Sequence, residues 1–294
     1  MTYEQQFAQY LAKIEERLPQ LADGVFESSS KVGEAAKYSL LAGGKRIRAV
    51  LCVAVCDMLN GNLATAVDFG CAVEMLHCYS LIHDDLPCMD NDDFRRGKPS
   101  CHIAYGESTA LLAADALLTA AFEVISCATD NSKSVACAVQ ALSMAAGAKG
   151  MVYGQELDLY YEKHGANEQQ LCSIHRHKTG DLINAAAQLG AIAADANSTQ
   201  RQAIANYAYD IGLVFQIIDD ILDVTSTSEE LGKPIGSDAE NGKTTFITLK
   251  GLTQSRELAA NITTRTCNTL DAVFGLYDTA FLHHLAHSLL LRKS

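Results

Sequence analysis

The feature that most constrains the fold of this chain is the helical spacing of its apolar residues. These residues recur at intervals of three and four along most of the sequence, whereas strand-like alternation is nearly absent. Only four of the 294 residues are proline, and the many stretches rich in Ala and Leu lose little side-chain freedom in a helix. The periodic segments are 1–18, 34–42, 46–60, 63–86, 108–129, 133–160, 168–195, 199–224 and 244–263. The sequence therefore predicts an all-α protein.

The breaks between these segments bear on domain organisation. They are short and polar, and none is long enough or rich enough in Gly, Ser and Pro to serve as a flexible interdomain linker. A chain of 294 residues is long enough for one large domain or for two of ordinary size. Because no linker divides it, we expect a single domain over residues 1–294.

Composition argues against several partners and locations. The formal net charge of −12 argues against nucleic acid or an anionic membrane as a general partner. Ten cysteines are scattered through apolar runs without paired or zinc-type spacing, which predicts reduced thiols in a cytoplasmic protein. Segment 1–18 has acids and glutamines where a signal peptide needs a basic start. No charge-free apolar segment reaches about 18 residues, so we expect no membrane span.

Two segments, 76–98 and 212–233, share a plan in which an apolar helix is followed by aspartates and then by a basic loop. In the first, the aspartates are Asp84, Asp85, Asp90, Asp92 and Asp93. The helix should end near Pro87, because proline disfavours helix in the residue before it. A run of like charges is often only a solvated helix end, but the apolar stretch directly before this one favours a binding site.

The second aspartate cluster lies within a helical segment. Asp219 and Asp223 are four residues apart and share one helix face, with Gln216 one turn earlier. Their neighbours are core-like, so these carboxylates need cations. Carboxylate oxygens suit Mg²⁺, which typically binds one or two carboxylates together with waters and substrate phosphates. The two clusters predict several Mg²⁺ ions, with Mn²⁺ as the alternative, that neutralise a departing pyrophosphate.

Cations stand near both clusters. The segments GGKRIR at 43–48 and RRGK at 95–98 each contain three cations. Each could be a surface turn, but arginine forks and lysine ammonium groups are what diphosphate capture requires. Lys178 and Thr179 precede Gly180 inside a helical run, where glycine weakens a helix by about 1 kcal/mol relative to alanine. We therefore expect a local kink that turns both side chains off the helix axis.

Two patterns in the C-terminal part of the sequence resemble sites of other functions. Lys233 and Lys243 lie in a glycine-bearing loop that we expect to close over an anion. This loop resembles a P-loop, but its glycine spacing is one residue too long and no strand precedes it, which argues against an NTPase. The cluster of His283, His284 and His287 has no acidic or cysteine partner in the sequence nearby, so we expect an ordinary surface or core cluster.

In combination, these motifs resemble the trans-isoprenyl diphosphate synthase family, most closely its bacterial-type farnesyl diphosphate synthases. The matching segments run in order along most of the chain: GGKRIR at 43–48, EMLHCYSLIHDDLPCMDNDDFRRG at 74–97, GMVYGQELDL at 150–159, HKTG at 177–180, FQIIDDILD at 215–223 and GKTT at 242–245. The resemblance implies a helical bundle of the isoprenoid synthase type with a central active-site cavity. It also implies a magnesium-dependent prenyltransferase of isoprenoid biosynthesis, which acts as a homodimer. One departure is Ala49, where the family usually has proline.

The resemblance implies roles for individual residues. The ligands of isopentenyl diphosphate would be Lys45, Arg48, His77 and Arg96. The ligands of the allylic diphosphate would be Arg95, Lys178, Thr179, Gln216 and Lys233. Metal would be held by Asp84, Asp90 and Asp219, and these three with Lys178 form the implied catalytic set. Supporting or lining roles would fall to Asp85, Asp220, Asp223, Gln155 and Asp158.

The implied reaction begins with ionisation of the allylic diphosphate, followed by attack of the isopentenyl double bond and loss of a proton. By resemblance, Tyr79 is the bulky residue that stops chain growth, which implies the fifteen-carbon product farnesyl diphosphate. An ideal helix turns Tyr79 about 140° from Asp84, so this role rests on the resemblance and not on spacing. Geranylgeranyl diphosphate synthase is the alternative.

Two further alternatives come from other classes. A terpene cyclase also ionises an allylic diphosphate, but it needs no second diphosphate site of the kind implied by Lys45, Arg48, His77 and Arg96. A non-catalytic subunit of a prenyltransferase heteromer should have lost part of an aspartate motif, and this chain retains both motifs.

Overall fold

The computed structural model describes residues 1–226 and 243–292. Within these ranges the helices are α1 (Tyr3–Val25), α2 (Lys31–Leu40), α3 (Ile47–Met58), α4 (Leu63–Asp84), α5 (Cys101–Tyr105), α6 (Glu107–Cys127), α7 (Ser132–Ala146), α8 (Met151–His164), α9 (Glu168–His175), α10 (Asp181–Ala193), α11 (Ser198–Thr225), α12 (Phe246–Lys250), α13 (Leu252–Phe274) and α14 (Ala280–Leu290). A π-helical turn, Arg176–Gly180, joins α9 to α10. The strands described are β1 (Phe94–Arg95) and β2 (Lys98–Pro99), an antiparallel pair. The predicted all-α class is confirmed.

Several helices begin at residues whose side chains cap the open backbone amides. Thr2, Asn167, Asn197 and Thr245 each accept a hydrogen bond from the amide three residues later, and the side chain there bonds back. These capping boxes precede α1, α9, α11 and α12, and a cap of this kind is typically worth about 1 kcal/mol. Local sequence therefore specifies where these four helices start.

The structure explains how α3 starts without the proline that the family usually has at position 49. The backbone amide of Ala49 donates a hydrogen bond to the Glu74 side chain at 3.3 Å, and proline has no amide hydrogen to donate. A side chain on Gly70 would come within 3.1 Å of Ala49, so α3 and α4 approach each other closely here. Alanine thus serves both the hydrogen bond and the close packing.

The chain forms two compact units. Unit 1 comprises Met1–Gln140 and Ile192–Asp195, and unit 2 comprises Ala141–Ala191 and Ala196–Ser294. The expectation of a single domain over 1–294 stays a prediction.

In unit 1, α4 is the central helix. It packs against α3 and α6, and side chains on all of its faces are buried, including Phe69, Met75 and Leu76. Full burial of one such side chain stabilises a fold by roughly 1.5–3 kcal/mol. Helices that are apolar all round are buried ones, so the aspartates at the end of α4 are carried by a rigid element.

In unit 2, α11 has the corresponding role. It packs against α13 and α14, and the hydroxyl of buried Tyr207 donates a 2.7 Å hydrogen bond to the carbonyl of Leu282. The segment that carries the second aspartate cluster is anchored by buried Ile217, Ile218 and Ile221. The second cluster therefore also lies on a rigid helix.

The helix bounds depart from the sequence prediction at several points. α4 ends at Asp84, close to Pro87 as predicted, but the predicted segment 133–160 is broken between α7 and α8. The segment 244–263 is split at Gly251, whose φ of 77° is favourable for glycine and costly for other residues. Helix α14 was not predicted.

Two helical stretches, Glu107–Cys127 and Ser132–His164, are long and apolar enough to cross a membrane by length and composition alone. In an apolar 18-residue part of each stretch, 44% and 33% of the residues, respectively, are buried inside the protein. Both carry charged residues, for example Asp115 and Glu156. Buried core helices share this length and composition, so these stretches are weak evidence for a membrane span.

Candidate active site

The first aspartate cluster lies in a compact turn at the end of α4. The backbone amide of Asp90 donates to the carbonyl of Asp84 at 2.8 Å, and the amide of Asn91 donates to the carbonyl of Leu86 at 3.2 Å. Asp84 is half-buried and Asp90 is exposed. The turn therefore brings together the backbones of two residues that were predicted to hold metal.

Asp85 has a different environment from its neighbours. It is only 2% exposed, and the Arg95 guanidinium donates to its Oδ1 at 2.9 Å. Arg95 also contacts Asp92 at 3.3 Å. Burial raises the pKa of Asp85, and the hydrogen bond from Arg95 offsets this rise in part. Arg95, a predicted ligand of the allylic diphosphate, is thus paired with the first cluster.

The β1–β2 hairpin positions Arg96. Arg95 pairs with Lys98, so Arg96 and Gly97 form the two-residue loop, with φ values of 55° and 73°. The Arg96 guanidinium donates a hydrogen bond to the carbonyl of Gly43. A side chain on Gly44 would lie 2.9 Å from the Arg96 guanidinium carbon, so glycine at this position makes room for it. The motif at 43–48 and the motif at 95–98 thereby meet in unit 1.

His77 lies within the electrostatic reach of these cations. Desolvation of the ring holds the pKa of His77 well below its usual range, and the charges of Arg48 and Arg96 lower it further. His77 is therefore neutral near pH 7, in a positively charged environment that suits an anion. Arg46 has another role: it is 3% exposed and bonds to Glu15 and to the carbonyl of Leu40. Lys45 is exposed.

Tyr79 is a buried side chain of α4, 7% exposed. Its ring packs edge-to-face against His83, with 5.4 Å between the ring centroids. The His83 Nε2 atom lies 4.0 Å from Asp115 on α6. Tyr79 is thus held in place by its neighbours, while its predicted role in chain length stays a prediction.

In unit 2, the predicted kink at Gly180 is a π-helical turn, Arg176–Gly180. A side chain on Gly154 would lie 2.0 Å from the backbone nitrogen of Lys178, so α8 contacts this turn directly through its backbone. A side chain on Gly212 of α11 would come within 3.2 Å of Gly180. Close packing of helices on both sides therefore accompanies the departure from α-helix, and glycine permits it.

The π-turn orients Lys178 and Thr179. Lys178 Nζ donates to Asp158 Oδ2 at 2.5 Å, and Lys243 Nζ donates to the same oxygen at 3.4 Å. Burial raises the pKa of Asp158, but the two lysines bring it below its usual value. Thr179 Oγ1 donates to Gln216 at 3.3 Å. The sequence places Lys243 in a loop expected to close over an anion, and the structure shows it beside Lys178, on the same oxygen of Asp158.

The second aspartate cluster lies on α11. Gln216 donates to Asp219 Oδ2 at 3.1 Å, and Arg292 approaches Asp219 Oδ1 at 2.7 Å. The Arg292 guanidinium also lies over the ring of Phe215, 4.4 Å from its centroid. Arg292 was missed by sequence reasoning, although the basic end of the chain at 292–293 was a signal that could have found it.

The other two aspartates of the second cluster, Asp220 and Asp223, are buried. Asp220 accepts a 2.7 Å hydrogen bond from the amide of Phe246, which fixes the start of α12. Asp223 is 3% exposed. Their supporting roles stay predictions.

The sequence matches a known protein family over most of its length. The model of the polyprenyl synthetase family matches residues 29–276. The chain belongs to the polyprenyl synthetase family. The predicted membership of a family of prenyl-transferring enzymes is thereby confirmed.

Relatives of this polyprenyl synthetase family member differ in their products. Geranylgeranyl pyrophosphate synthase 3, chloroplastic, of Arabidopsis thaliana is 49% identical over 237 residues, which cover 79% of this chain and 66% of the relative. An FPP/GFPP synthase structure from Zymomonas mobilis is 32% identical, covers 98% of each chain and has a TM-score of 0.85. A geranyltransferase from Helicobacter pylori, complexed with magnesium and isoprenyl diphosphate, is 35% identical, covers 97% of this chain and 96% of that one, and has a TM-score of 0.82.

The donor set of this family member fits a hard cation. Among the residues that the structure describes, no three His, Cys, Asp or Glu side chains form a metal site by themselves. Mg²⁺ does not need such a group, since it typically takes one or two carboxylates and completes its shell with waters and phosphates. Each cluster already attracts a cation, because a guanidinium lies against Asp85 and another against Asp219.

Three further predictions concern Lys233, Gln155 and the C-terminal histidines. Lys233 lies outside the described residues. Gln155 on α8 has a buried amide nitrogen that donates to no described residue. His283 lies 2.9 Å from Asp271, so the C-terminal histidine cluster has an acidic neighbour that the sequence did not reveal.

Proposed function

We propose that this chain condenses isopentenyl diphosphate with an allylic diphosphate, and that its main product is farnesyl diphosphate. One observation carries the proposal: each unit contains an aspartate cluster and a separate group of cations. A condensing synthase must bind two diphosphates, whereas an enzyme that only ionises an allylic substrate needs one.

In unit 1 the cations suit isopentenyl diphosphate. Arg96, Arg48 and Lys45 supply charge, and arginine binds phosphate oxygens in a bidentate manner. Neutral His77 supplies a hydrogen-bond donor without adding repulsion to the arginines. These residues would hold a substrate that is not ionised during the reaction.

In unit 2 the residues suit the allylic diphosphate. Lys178, Lys243 and Thr179 would bind its phosphate oxygens, and the low pKa of Asp158 keeps a carboxylate that orients both lysines. Preorganised cations of this kind stabilise the charge that develops on a leaving group. Arg95 and Lys233 are the remaining proposed ligands.

Magnesium would be held by Asp84, Asp90 and Asp219. When bound, it would neutralise charge on the diphosphate oxygens. The Helicobacter pylori relative, solved with magnesium and isoprenyl diphosphate, supports magnesium as the ion. Mn²⁺ is the alternative ion for the same oxygen donors.

The product length depends on Tyr79. A buried aromatic ring that packs against His83 supports a short cavity and the fifteen-carbon product. Geranylgeranyl diphosphate is the second candidate, because the Arabidopsis relative, 49% identical, carries that name. We expect Tyr79→Ala to lengthen the product, as measured by mass spectrometry after incubation with dimethylallyl and isopentenyl diphosphates. An unchanged product length in this variant would contradict the role of Tyr79.

We further propose a homodimer in the cytoplasm. The exposed side chains of Leu111 and Leu112 on α6 support a protein partner for this helix. All ten cysteines are free thiols, as expected in a reducing compartment. Light scattering after size-exclusion chromatography would test the dimer, and a monomer at micromolar concentration would contradict it.

The experiment that tests the proposed reaction is incubation of the purified chain with Mg²⁺, dimethylallyl diphosphate and labelled isopentenyl diphosphate. We expect the label to enter a prenyl diphosphate. Hydrocarbon formation without use of isopentenyl diphosphate would indicate a cyclase. Inactivity of the chain on its own would favour a non-catalytic subunit.

A further inference from the structure

A cavity of about 770 Å³ lies in unit 2, beside the end of α7, the π-turn, α10 and the first turns of α11. Its volume falls within the range of small-molecule sites, about 300–1,000 Å³. None of the residues proposed above for substrate or metal lines it. Every lining residue belongs to unit 2. The cavity is therefore a candidate site separate from the aspartate clusters.

The charge of the cavity is opposite to that of the protein. Lys149, Arg176 and Arg201 line it, and Asp181 is the one carboxylate among its lining residues. The whole chain has a formal net charge of −12, so a local excess of cations is unusual. Lys149 is exposed and forms no ion pair with the described residues. A concave surface lined by cations concentrates anions.

The single carboxylate is already engaged by its neighbours. Asp181 Oδ2 lies 2.9 Å from His177 Nδ1, and Asp181 Oδ1 accepts a 2.7 Å hydrogen bond from the Tyr209 hydroxyl. Burial, followed by the bond to Asp181, raises the pKa of Tyr209 to about 12, so the hydroxyl keeps its proton near pH 7. Asp181 therefore contacts His177 and Tyr209, and none of the three cations.

Two of the cations are held in defined positions. The Arg176 guanidinium stacks on the Tyr209 ring, with its carbon 3.8 Å from the ring centroid. Arg201 Nε donates to Gln188 at 3.0 Å, and Gln188 donates back to the carbonyl of Arg201 at 2.8 Å. In Arg201 the bond to Gln188 uses Nε, and in Arg176 the contact with Tyr209 uses the face of the guanidinium. A planar guanidinium held in this way is suited to a phosphate group.

We propose that this cavity is a further anion-binding site, for a small molecule that carries a phosphate or diphosphate group. Arg176 and Arg201 would bind the phosphate oxygens, and Lys149 would add charge at the cavity edge. The remaining wall includes small apolar side chains such as Ala145 and Ala205, which leave room for an organic portion of the ligand. Asn184, whose buried Oδ1 accepts no hydrogen bond from described residues, offers an acceptor for a ligand hydroxyl.

The site has a consequence that rests on the proposed function. Arg176 and His177 line the cavity, while the next two residues, Lys178 and Thr179, bond to Asp158 and Gln216. All four belong to one π-helical turn. An anion bound by Arg176 would therefore act on the turn that positions Lys178. Such coupling is reciprocal, so each ligand changes the affinity for the other by the same factor.

The first test measures binding without any turnover. The full chain, free of Mg²⁺ in excess EDTA, is titrated with inorganic pyrophosphate by isothermal calorimetry. We expect saturable binding that weakens about tenfold in Arg201→Gln, since bonds to charged groups are worth roughly 1.5–3 kcal/mol. In Lys149→Met it should weaken about two- to fivefold, since an exposed cation contributes at most about 1 kcal/mol. Lys149→Met is the cleaner variant, because Arg201 also bonds to Gln188.

Two controls locate the binding. Lys133→Met removes an exposed cation of α7 that does not line the cavity, and it should bind as the wild type does. Lys178→Met removes a proposed active-site cation and should retain binding. Absence of saturable binding, equal binding by all variants, or loss of binding in Lys178→Met alone would overturn the proposal.

The second test measures coupling with an unreactive thiolo analogue of the allylic diphosphate, so that catalysis is not needed. We expect pyrophosphate to change the affinity for the analogue in the wild type, and to do so less in Lys149→Met. An equal effect in both proteins would overturn the coupling. If the analogue does not bind at all, the proposed function fails, while the anion site is still judged by the first titration.

Discussion

Each aspartate cluster forms an ion pair with an arginine, but the two arginines come from different places in the chain. In unit 1 the cluster lies in a turn after α4, and its guanidinium comes from Arg95 in the hairpin directly after it. In unit 2 the cluster lies within α11, and its guanidinium comes from Arg292, close to the C-terminus. The first arrangement is local in sequence and the second is not. Similar chemistry can therefore be visible in one stretch of sequence and hidden in another.

The largest expected effects come from the proposed metal ligands themselves. We expect Asp84→Ala and Asp219→Ala each to lower kcat by about 10²–10³-fold, the scale seen when one group that stabilises transition-state charge is removed. Steady-state consumption of isopentenyl diphosphate measures this loss. Comparable losses in both variants would show that the two clusters act alike despite their different surroundings.

Each of these variants has a matched control in the same unit. Asp93→Ala removes an exposed aspartate from the first run, and Asp210→Ala removes an aspartate of α11 that pairs with Arg265. Both controls should keep most of the activity. A loss in Asp93→Ala as large as that in Asp84→Ala would refute the division of roles within the first cluster.

The next largest effects should separate the two groups of cations. We expect Arg96→Met to raise KM for isopentenyl diphosphate, and Lys178→Met to raise KM for the allylic diphosphate. Each increase should be about 10- to 100-fold, because a charge-assisted hydrogen bond contributes roughly 1.5–3 kcal/mol. If both variants raised the same KM, the proposed assignment of Arg96 and Lys178 to different diphosphates would be wrong.

The sequence anticipated those features of the site that depend on neighbours along the chain. The turn that joins Asp84 to Asp90 could be expected from the helix end and from Pro87. The kink at Gly180 could be expected from the low helix propensity of glycine. The helical period also predicted most of the fold, since it reports directly which face is buried.

The rest depends on contacts between distant segments, which no local pattern records. Arg292 lies against Asp219 because α14 packs on α11, and α14 itself was not predicted. Gly44 leaves space for Arg96 because a hairpin fifty residues later folds back onto it. The cavity beside the π-turn is likewise formed by α7, α10 and α11 together. Such features become visible only when the fold is known.

A smaller effect concerns acid stability, and it compares a histidine from each unit. Burial, the largest cause, lowers the pKa of His175 to about 4, and desolvation lowers the pKa of His77 as well. In the unfolded chain a histidine has a pKa of about 6.5, so it binds a proton at a higher pH than the same histidine in the folded protein. Stability should therefore decrease from about pH 6.5 towards pH 4.

Urea denaturation at pH 7 and pH 5 measures this effect. For His175, we expect the free energy of unfolding to drop by about 2 kcal/mol between these pH values, an order-of-magnitude figure. His175→Phe should remove most of that drop, whereas His287→Phe, at an exposed position, should not change it. An unaltered pH dependence in His175→Phe would show that other groups control acid stability.

The smallest expected effect concerns Arg292, the partner of Asp219 that is distant from it in sequence. Arg292 competes with any metal ion for Asp219, so Arg292→Met should increase the affinity for divalent cations. The pair is partly exposed, with side-chain exposures of 21% and 34%, so its strength is limited to about 1 kcal/mol and the gain to about fivefold. Titration with Mn²⁺ followed by electron paramagnetic resonance measures this without catalysis, and Arg265→Met, which breaks the pair with Asp210 on the same helix, is the control. A lower affinity for Mn²⁺ in Arg292→Met would contradict this competition. It would mean that Arg292 supports metal binding by Asp219, although it comes from a distant part of the chain.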